Sequence, residues 1–468
     1  MAKIIFTLEI QKHQSLVYYS IGNQSNTTLL KPFKAMKAFT AIYRQTSKYF
    51  LILLLLGFQI SCTKTSKTDN LSSQDGTTSM GIPPLFERTG DLSKASEWQK
   101  TKGKVEELKQ KINKDPSDIK SRLQIATIYL AEARITGEHP YYYPAILTIL
   151  DGILYLNPNN FEATTFKASV KMSQHQFAEA RVLAEAARKI NPDNAYVYGV
   201  LVDANVELGL YKDAVLMSDK MQALKPSLES YSRASYLREI YGDINGSIDA
   251  MKMAVQAGLP GSEPYCWSKN TLGHLYETTG KLKEADRQYN EILAIRPSYA
   301  FALRGQASVL KANKEYEKAL VILDKAAKIM PEFSFHEEMA EIYALQGSKE
   351  KAQQKFAEVA LMLDEDAKSG HAVDLELCKL YTKSGQLDLA KKHGLIEYKK
   401  RPRNIDVNHA LAVVAYQMND FKKAQEFILV ALSTGCKDPE LLSDAGKISK
   451  TVASLDTKRN DEFALNIR

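Results

Sequence analysis

Apolar residues recur every three or four positions along most of the chain, in segments of about a dozen residues separated by short polar turns. Residues 265–297, YCWSKNTLGHLYETTGKLKEADRQYNEILAIRP, show the arrangement best, with a turn at Gly280 between two such segments. A period of three to four residues is typical of a helix with one buried face. Gly and charged residues at the turn separate the two helices. The pattern therefore predicts helix–turn–helix pairs from about residue 96 to residue 450.

Prolines mark the ends of the second helices and set the period. Pro158, Pro192 and Pro226 are evenly spaced, and the same interval separates Pro297 from Pro331. Proline ends a helix because it lacks an N–H and its ring clashes with the preceding turn. The interval is that of the tetratricopeptide repeat, a helix–turn–helix unit of about 34 residues, and the pattern resembles this family. The resemblance implies an all-α, right-handed superhelical solenoid of stacked units, in which the first helices line the concave face.

Small side chains lie where the two helices of a unit are expected to meet. Leu272, Gly273 and Tyr276 match the first helix of the family, and Ala285 and Tyr289 match the second helix. Small residues matter because they let two helices approach closely. The same phase is kept in other second helices by Ala180, Ala214, Ala319, Ala352, Ala390 and Ala424.

The repeats also predict the domain organisation of the chain. About nine units are expected between residues 119 and 438. Half-units at 96–113 and 439–450 complete a solenoid that spans residues 96–450. A polar tail is expected at 451–468.

A short apolar run near the start of the chain predicts a targeting signal rather than a membrane span. Residues 49–58, YFLILLLLGF, are ten apolar residues, whereas a spanning helix needs about 20. Basic residues precede the run and Cys62 follows it. This order resembles the signal peptide and lipobox of bacterial lipoproteins, in which a peptidase cuts before a cysteine that carries lipid. The family usually has Leu three positions before the cysteine, where this chain has Gln59.

The resemblance implies how the amino-terminal part is divided. Counted from Met36, the signal has normal proportions, so residues 36–61 are predicted to be the signal peptide and residues 1–35 an extension of the gene model. Cys62 is the predicted lipidation site. The polar stretch 62–95 cannot bury enough apolar surface to order itself and is predicted to be a flexible tether.

A lipid anchor implies a protein of the bacterial cell envelope. Thr63 follows the cysteine, where an Asp would retain some lipoproteins at the inner membrane, so the outer membrane facing the periplasm is expected. Two alternatives stay open for the apolar run, which are a buried helix of the folded domain at 49–60 and an uncleaved signal anchor.

Composition argues against nucleic acid, metal and catalysis. The net charge of +7 comes mainly from the segment before Cys62, and the rest of the chain is nearly neutral. A neutral body offers little attraction to phosphate backbones, so no nucleic-acid partner is expected. The four cysteines form no C-x-x-C pair, and the histidines show no metal spacing. No catalytic motif is present, and we expect neither an enzyme nor a cofactor.

The remaining candidate for function is the concave face. In the resembled family, this face usually binds an extended peptide or a helix. Positions carried over to it supply aromatic, polar and basic side chains, the composition enriched at binding hot spots. They are Tyr196, Tyr236, Trp267, Asn270, His274, Arg304 and Lys311. Packing of Trp267 against a neighbouring unit is the competing interpretation.

A second candidate lies in the first unit, which is longer than the others. Its surplus contains Tyr141, Tyr142 and Tyr143 between Pro140 and Pro144. Prolines on both sides favour an extended backbone, so an aromatic loop is expected. The loop could contact a partner, or it could pack over the end of the solenoid.

Together these observations predict a lipid-anchored scaffold that binds a protein or peptide in its concave groove. Two other functions stay open. One is a small-molecule or carbohydrate-binding envelope protein, and the other is a non-catalytic subunit of an enzyme complex.

Overall fold

The computed structural model describes residues 82–94 and 96–466. The predicted extension, signal peptide and lipidated Cys62 lie outside the described residues, as does most of the predicted tether. Every regular element of the described part is a helix. The helices are α1 (Gly90–Ser93), α2 (Ser96–Lys114), α3 (Ile119–Thr136), α4 (His139–Leu156), α5 (Phe161–Ser173), α6 (Phe177–Ile190), α7 (Ala195–Glu207), α8 (Tyr211–Leu224), α9 (Leu228–Ile240), α10 (Ile244–Ala257), α11 (Glu263–Thr278), α12 (Leu282–Ile295), α13 (Ala300–Ala312), α14 (Tyr316–Ile329), α15 (Phe333–Leu345), α16 (Lys349–Lys368), α17 (Asp374–Lys383), α18 (Leu387–Lys400), α19 (Ile405–Gln417), α20 (Phe421–Ala431) and α21 (Pro439–Asn466).

Local sequence signals set the ends of these helices. The side chain of Ser262 caps α11 by accepting a hydrogen bond from the backbone N–H of Tyr265. Gly280 takes a positive φ of 72° in the turn that follows α11, a conformation that glycine adopts without strain. Helix α12 ends at Ile295, two residues before Pro297. The same order of cap, turn and proline produces one helix pair after another.

Close packing inside each pair follows the small residues. Ala285 is fully buried on α12, and Tyr289 on the same helix is 1% exposed. A Cβ atom at Gly273 would lie 2.6 Å from the ring of Tyr289, and one at Gly305 would lie 2.4 Å from it. The tyrosine ring therefore fits only because glycines face it from α11 and α13. The described residues form the predicted all-α superhelical solenoid of stacked helix–turn–helix units, which confirms the fold class.

Residues 82–89 form an extended strap that packs on α3 and α4. The guanidinium of Arg88 donates to both carboxylate oxygens of Glu132, at 2.9 Å from Nε and 2.7 Å from Nη2. The backbone N–H of Phe86 donates to the hydroxyl of Tyr142 at 3.1 Å. The predicted flexible tether, 62–95, is therefore wrong for its last part, because buried polar bonds fix that part to the first helix pair.

The three consecutive tyrosines lie in a helix and not in a loop. Helix α4 begins at His139 and includes Tyr141, Tyr142 and Tyr143 in its first turns. Pro140 is tolerated because the first N–H groups of a helix have no partner within the helix. The expectation of an extended aromatic loop is therefore wrong, although the surplus residues of the first unit do fall in α4.

The last helix is longer than predicted. Helix α21 runs from Pro439 to Asn466, through the end of the predicted half-unit and most of the predicted polar tail at 451–468. None of the helices among the described residues combines the length and the apolar character needed to cross a bilayer.

Candidate functional site

Four of the predicted groove residues lie on two neighbouring first helices. Asn270 and His274 follow one another on α11, and Arg304 and Lys311 lie on α13. The side chain of His274 is 47% exposed, and that of Arg304 is 40% exposed. The Oδ1 atom of Asn270 is shielded from solvent and accepts no hydrogen bond within the described part of the chain. His274 and Arg304 therefore form an accessible polar patch on α11 and α13.

The predicted aromatic members of the groove are packed more deeply. Trp267 is 9% exposed and Tyr236 is 6% exposed, and both belong to core clusters between units. Tyr196 is half-buried, and its hydroxyl shares a hydrogen bond of 2.6 Å with the hydroxyl of Ser169. Burial of Trp267 and Tyr236 leaves almost no side-chain surface for a partner, so the accessible patch is polar rather than aromatic.

Alternating charges continue the patch across α13, α15 and α17. Arg304 donates to Glu338 at 2.9 Å, and Lys311 donates to Glu341. Lys383 donates to Glu341 as well. We call these five residues the charge ladder. Sequence reasoning missed Glu338 and Lys383, although their spacing on first helices could have shown them.

Electrostatics keep Glu341 ionised at neutral pH. Burial would raise the pKa of Glu341, but Lys383 and Lys311 lower it to about 2. Glu341 therefore stays a carboxylate that bridges two neighbouring helices. The concave wall presents both signs of charge, which suits a partner with mixed polar side chains.

A second feature was not visible in the sequence, because it joins residues almost 200 positions apart. The backbone N–H of Ala372 donates to the carbonyl of Gln174 at 2.8 Å. The side chain of Gln176 donates to the carbonyl of Gly370 at 2.7 Å. Residues 174–176 form the turn between α5 and α6, and residues 369–373 join α16 to α17.

The same contact repeats in the following units. The turn between α7 and α8 lies on the connection between α18 and α19, where Asn404 donates to the carbonyl of Glu207 at 3.0 Å. Gly209, at a φ of 72°, approaches so closely that a Cβ atom would lie 2.5 Å from the carbonyl carbon of Arg403. Gly242 lies in the same way against Gly435. We call this line of contacts between successive superhelical turns the seam.

The spacing of the seam contacts along the sequence gives the number of repeats in one superhelical turn. The side-chain hydrogen bonds of the seam join residues 194 to 197 positions apart. With about 34 residues in each repeat, this separation corresponds to between five and six repeats for one superhelical turn. Successive turns of the described solenoid therefore touch directly at the seam.

A buried ion pair stabilises the middle of the seam. Arg401 donates to Glu397 at 2.6 Å and to Glu207, and its guanidinium lies 4.7 Å from the ring centre of Phe177. Burial raises the pKa of Glu207, and the charge of Arg401 opposes that rise. The pair is hidden from solvent and belongs to the structure of the seam rather than to an open site.

Comparison with known proteins agrees with the repeat. The tetratricopeptide-repeat family matches residues 268–299, which cover most of α11 and α12 and support a protein built of these repeats. No curated protein matches the chain.

Several solved structures are similar to parts of the solenoid. A thermophilic TPR protein of Thermus thermophilus is 20% identical, with a TM-score of 0.37, and the match covers 41% of this chain and 99% of that one. A human IFIT1 dimer with PPP-AAAA is 14% identical, with a TM-score of 0.45 and coverage of 68% and 73%. YrrB, a TPR protein with an unusual peptide-binding site, is 18% identical, with a TM-score of 0.28 and coverage of 40% and 94%. At these scores the similarities carry no argument about ligands or partners.

Proposed function

We propose that this protein is a scaffold that binds a protein or peptide on its concave face and is anchored to the bacterial cell envelope by lipid on Cys62. The repeat fold supports a protein-interaction scaffold in general terms. The polar patch on α11 and α13 is the observation that supports the site, because it stays accessible while the neighbouring aromatic residues are buried.

The chemistry of this surface favours an extended polypeptide over a small apolar ligand. The accessible groups are the imidazole of His274 and the members of the charge ladder other than Glu338, which is buried. Together they present several donors and acceptors along neighbouring helices. A peptide offers backbone groups and charged side chains in a row that can match such a wall. Small-molecule pockets are usually apolar and enclosed, and the patch is neither.

The groove is tested by affinity capture from detergent-solubilised envelopes. Wild-type protein is compared with the His274→Ala/Arg304→Ala double variant and with Leu216→Ser as a matched surface control, since Leu216 is 60% exposed on α8. Ser308 also donates to Glu338 at 2.8 Å, so the loss of Arg304 does not leave that carboxylate without a donor. A partner lost only from the double variant supports the groove, and partners that persist in all three proteins contradict it.

The anchor is tested separately with a lipid label. Cells that express wild type or Cys62→Ser are grown with a clickable palmitate analogue, and the purified proteins are compared. Label on wild type and none on the variant supports the anchor. Absence of label from both proteins contradicts the lipid anchor and does not bear on the proposed binding groove.

The alternative of a small-molecule or carbohydrate ligand in the groove predicts a different result. Capture from envelopes would then yield no stable protein partner, while the double variant would lose binding of a low-molecular-mass compound detected by native mass spectrometry.

A further inference from the structure

A cavity of about 280 Å³ lies at one end of the seam. One wall comes from the start of α4 and the turn between α5 and α6, and the other comes from the start of α15 and the connection from α16 to α17. Both superhelical turns therefore contribute to the same cavity. Any molecule that fills it contacts the two turns at once.

The lining carries carboxylates and three imidazoles, those of His139, His175 and His371. No lysine or arginine is among the lining residues, whereas five carboxylates are: Glu138, Glu332, Glu365, Asp366 and Glu376. The carboxylate of Glu138 is half-buried, and within the described residues it makes no hydrogen bond or ion pair. The Oε2 atom of Glu376 is shielded from solvent and accepts no hydrogen bond from the described residues. Carboxylates held out of water without a cation are costly, and a bound cation offsets that cost.

Two basic groups lie near Glu376, and neither donates a hydrogen bond to its Oε2 atom. Arg401 lies on the same seam, but its guanidinium is already bonded to Glu207 and Glu397. His175 lies 3.6 Å from Glu376 through Nδ1. Burial lowers the pKa of His175, so this imidazole is mostly neutral near pH 7.

His175 lines the cavity from the turn between α5 and α6. Its φ is +56°, at a turn position where Gly209 and Gly242 occupy the corresponding turns. A non-glycine residue in this conformation costs about 1 kcal/mol or more. The ring stacks on Phe177 at 5.4 Å between centres and meets the edge of His371 at 4.4 Å. Lys314 and Asn419 take the same conformation at the corresponding turns of other units, so it is the ring of His175, and not its backbone, that contributes to the cavity.

The rest of the lining is apolar and aromatic. Met172, Met362 and Leu363 contribute aliphatic surface, and Tyr143 and Phe333 contribute rings. Aromatic rings together with carboxylates attract organic cations, because the ring face carries negative charge and the carboxylate supplies a charge-assisted hydrogen bond. Among the described residues, no three His, Cys, Asp or Glu side chains are placed to hold a metal ion. The lining therefore favours an organic cation.

We propose that the seam cavity binds a primary amine or guanidinium on an apolar stem, with Glu376 and Glu138 as the anionic partners and the rings and methionines around the stem. The group belongs either to a free amine or to a lysine or arginine side chain of another protein. Because both turns line the cavity, binding holds the seam closed. The site is separate from the groove and does not depend on the proposed function.

The site is tested on the full chain in detergent by titration calorimetry. The probes are n-pentylamine, agmatine and 1-pentanol, the last of which has the same stem as the amine without its charge. The variants are Glu376→Gln and Glu138→Gln, which keep the shape and remove the charge. Glu350→Gln is the control, because Glu350 is an exposed carboxylate on α16 outside the cavity.

We expect one molecule of pentylamine or agmatine to bind the wild-type chain at least about tenfold more tightly than pentanol. Each of Glu376→Gln and Glu138→Gln lowers the affinity for the amine about tenfold, and Glu350→Gln leaves this affinity unchanged. Equal binding of pentylamine and pentanol overturns the proposal, as does amine binding that is the same in all variants. The comparison of the three probes uses wild-type protein only, so it decides the question even if a variant fails to fold.

A second readout locates the bound amine. The backbone N–H of Ala372, which donates to the carbonyl of Gln174 across the seam, should exchange its hydrogen more slowly when pentylamine is present. Unchanged exchange at Ala372 in saturating pentylamine overturns the claim that binding closes the seam. Nα-acetyl-lysine amide separates the two sources: binding as tight as that of pentylamine indicates a protein side chain, and weaker binding indicates a free amine.

Discussion

Replacement of Arg401 by Met should loosen the seam strongly. The guanidinium is 2% exposed, and the two carboxylates that it contacts, Glu207 and Glu397, are 1% and 3% exposed. Methionine has a similar length and no charge, so the change removes the cation without leaving a large cavity. Glu207 then stays buried without a cation, while Glu397 keeps Lys400 at 3.1 Å.

The expected cost follows from this burial. Removal of one partner from a buried ion pair costs about 3–5 kcal/mol, because the remaining charge is no longer compensated. The opening constant of the seam should therefore rise by roughly two to four powers of ten. The effect of Glu207→Gln should be much smaller. Arg401 keeps Glu397 as its partner in that variant, so no buried charge is left uncompensated.

Native-state hydrogen exchange measures this opening directly. The backbone N–H of Ile405 donates to the hydroxyl of Tyr211 across the seam at 2.9 Å, and its exchange reports whether the two turns separate. A global melting temperature is less suitable because long repeat arrays do not unfold in one step. Arg188→Met is the matched control: Arg188 pairs with Glu185 on an exposed helix surface, where such a pair contributes about 1 kcal/mol or less.

Two results would refute the reasoning. One is exchange at Ile405 that is equally slow in Arg401→Met and in wild type. The other is a larger effect from Glu207→Gln than from Arg401→Met, which would mean that the carboxylate, and not the buried cation, limits the stability of the seam.

Three further predictions concern packing, pH and reactivity. Ala285→Leu should overpack α11 and α12 and cost about 1–3 kcal/mol, and an unchanged melting temperature would count against the assigned repeat. Burial lowers the pKa of His175 and of His371, so the folded chain binds fewer protons than the unfolded one and loses stability as the pH falls below about 6.5. Exchange at Ala372, corrected for its intrinsic rate, should therefore accelerate between about pH 7.5 and about pH 5.5, and a constant rate would contradict this. Burial raises the pKa of the Cys378 thiol to about 12, so iodoacetamide at about pH 8 should leave it unmodified in the folded chain by mass spectrometry, and rapid labelling would show that the helix pair opens.

The repeat could be predicted because it depends on the spacing of residues that are close together in the sequence. Evenly spaced prolines and small residues at a fixed phase specify one helix pair at a time. The contact of Tyr289 with Gly273 lies within such a unit, so the sequence was enough to expect it. Only the partner of Tyr289 from the next unit, Gly305, needed the structure.

The seam could not be predicted in the same way. The number of repeats in a superhelical turn depends on small rotations between neighbouring units that add up along the chain. No spacing in the sequence shows that Gln174 meets Ala372 or that Glu207 meets Arg401. For the same reason the seam cavity was missed, since its two walls come from units far apart in sequence.

The conformation of the three tyrosines in the first unit was predicted wrongly from the neighbouring prolines. Prolines on both sides favoured an extended loop, but the helix begins at His139, where early prolines are tolerated. Tyr142 is buried beneath the strap, which packs on this helix pair, and Tyr143 lines the seam cavity. A role of Tyr141, Tyr142 and Tyr143 in partner binding stays a prediction, and so does the lipid on Cys62, which lies outside the described residues.

Site-specific photocrosslinking in living cells tests the central claim, a partner on the concave face, most directly. A photoreactive phenylalanine analogue is placed at His274, which is 47% exposed on the first helix α11, or at Leu216, which is 60% exposed on α8. We predict a discrete crosslinked protein from position 274 and none of the same mass from position 216. Crosslinks of the same mass from both positions, or from position 216 alone, would contradict the proposal that the partner binds in the groove.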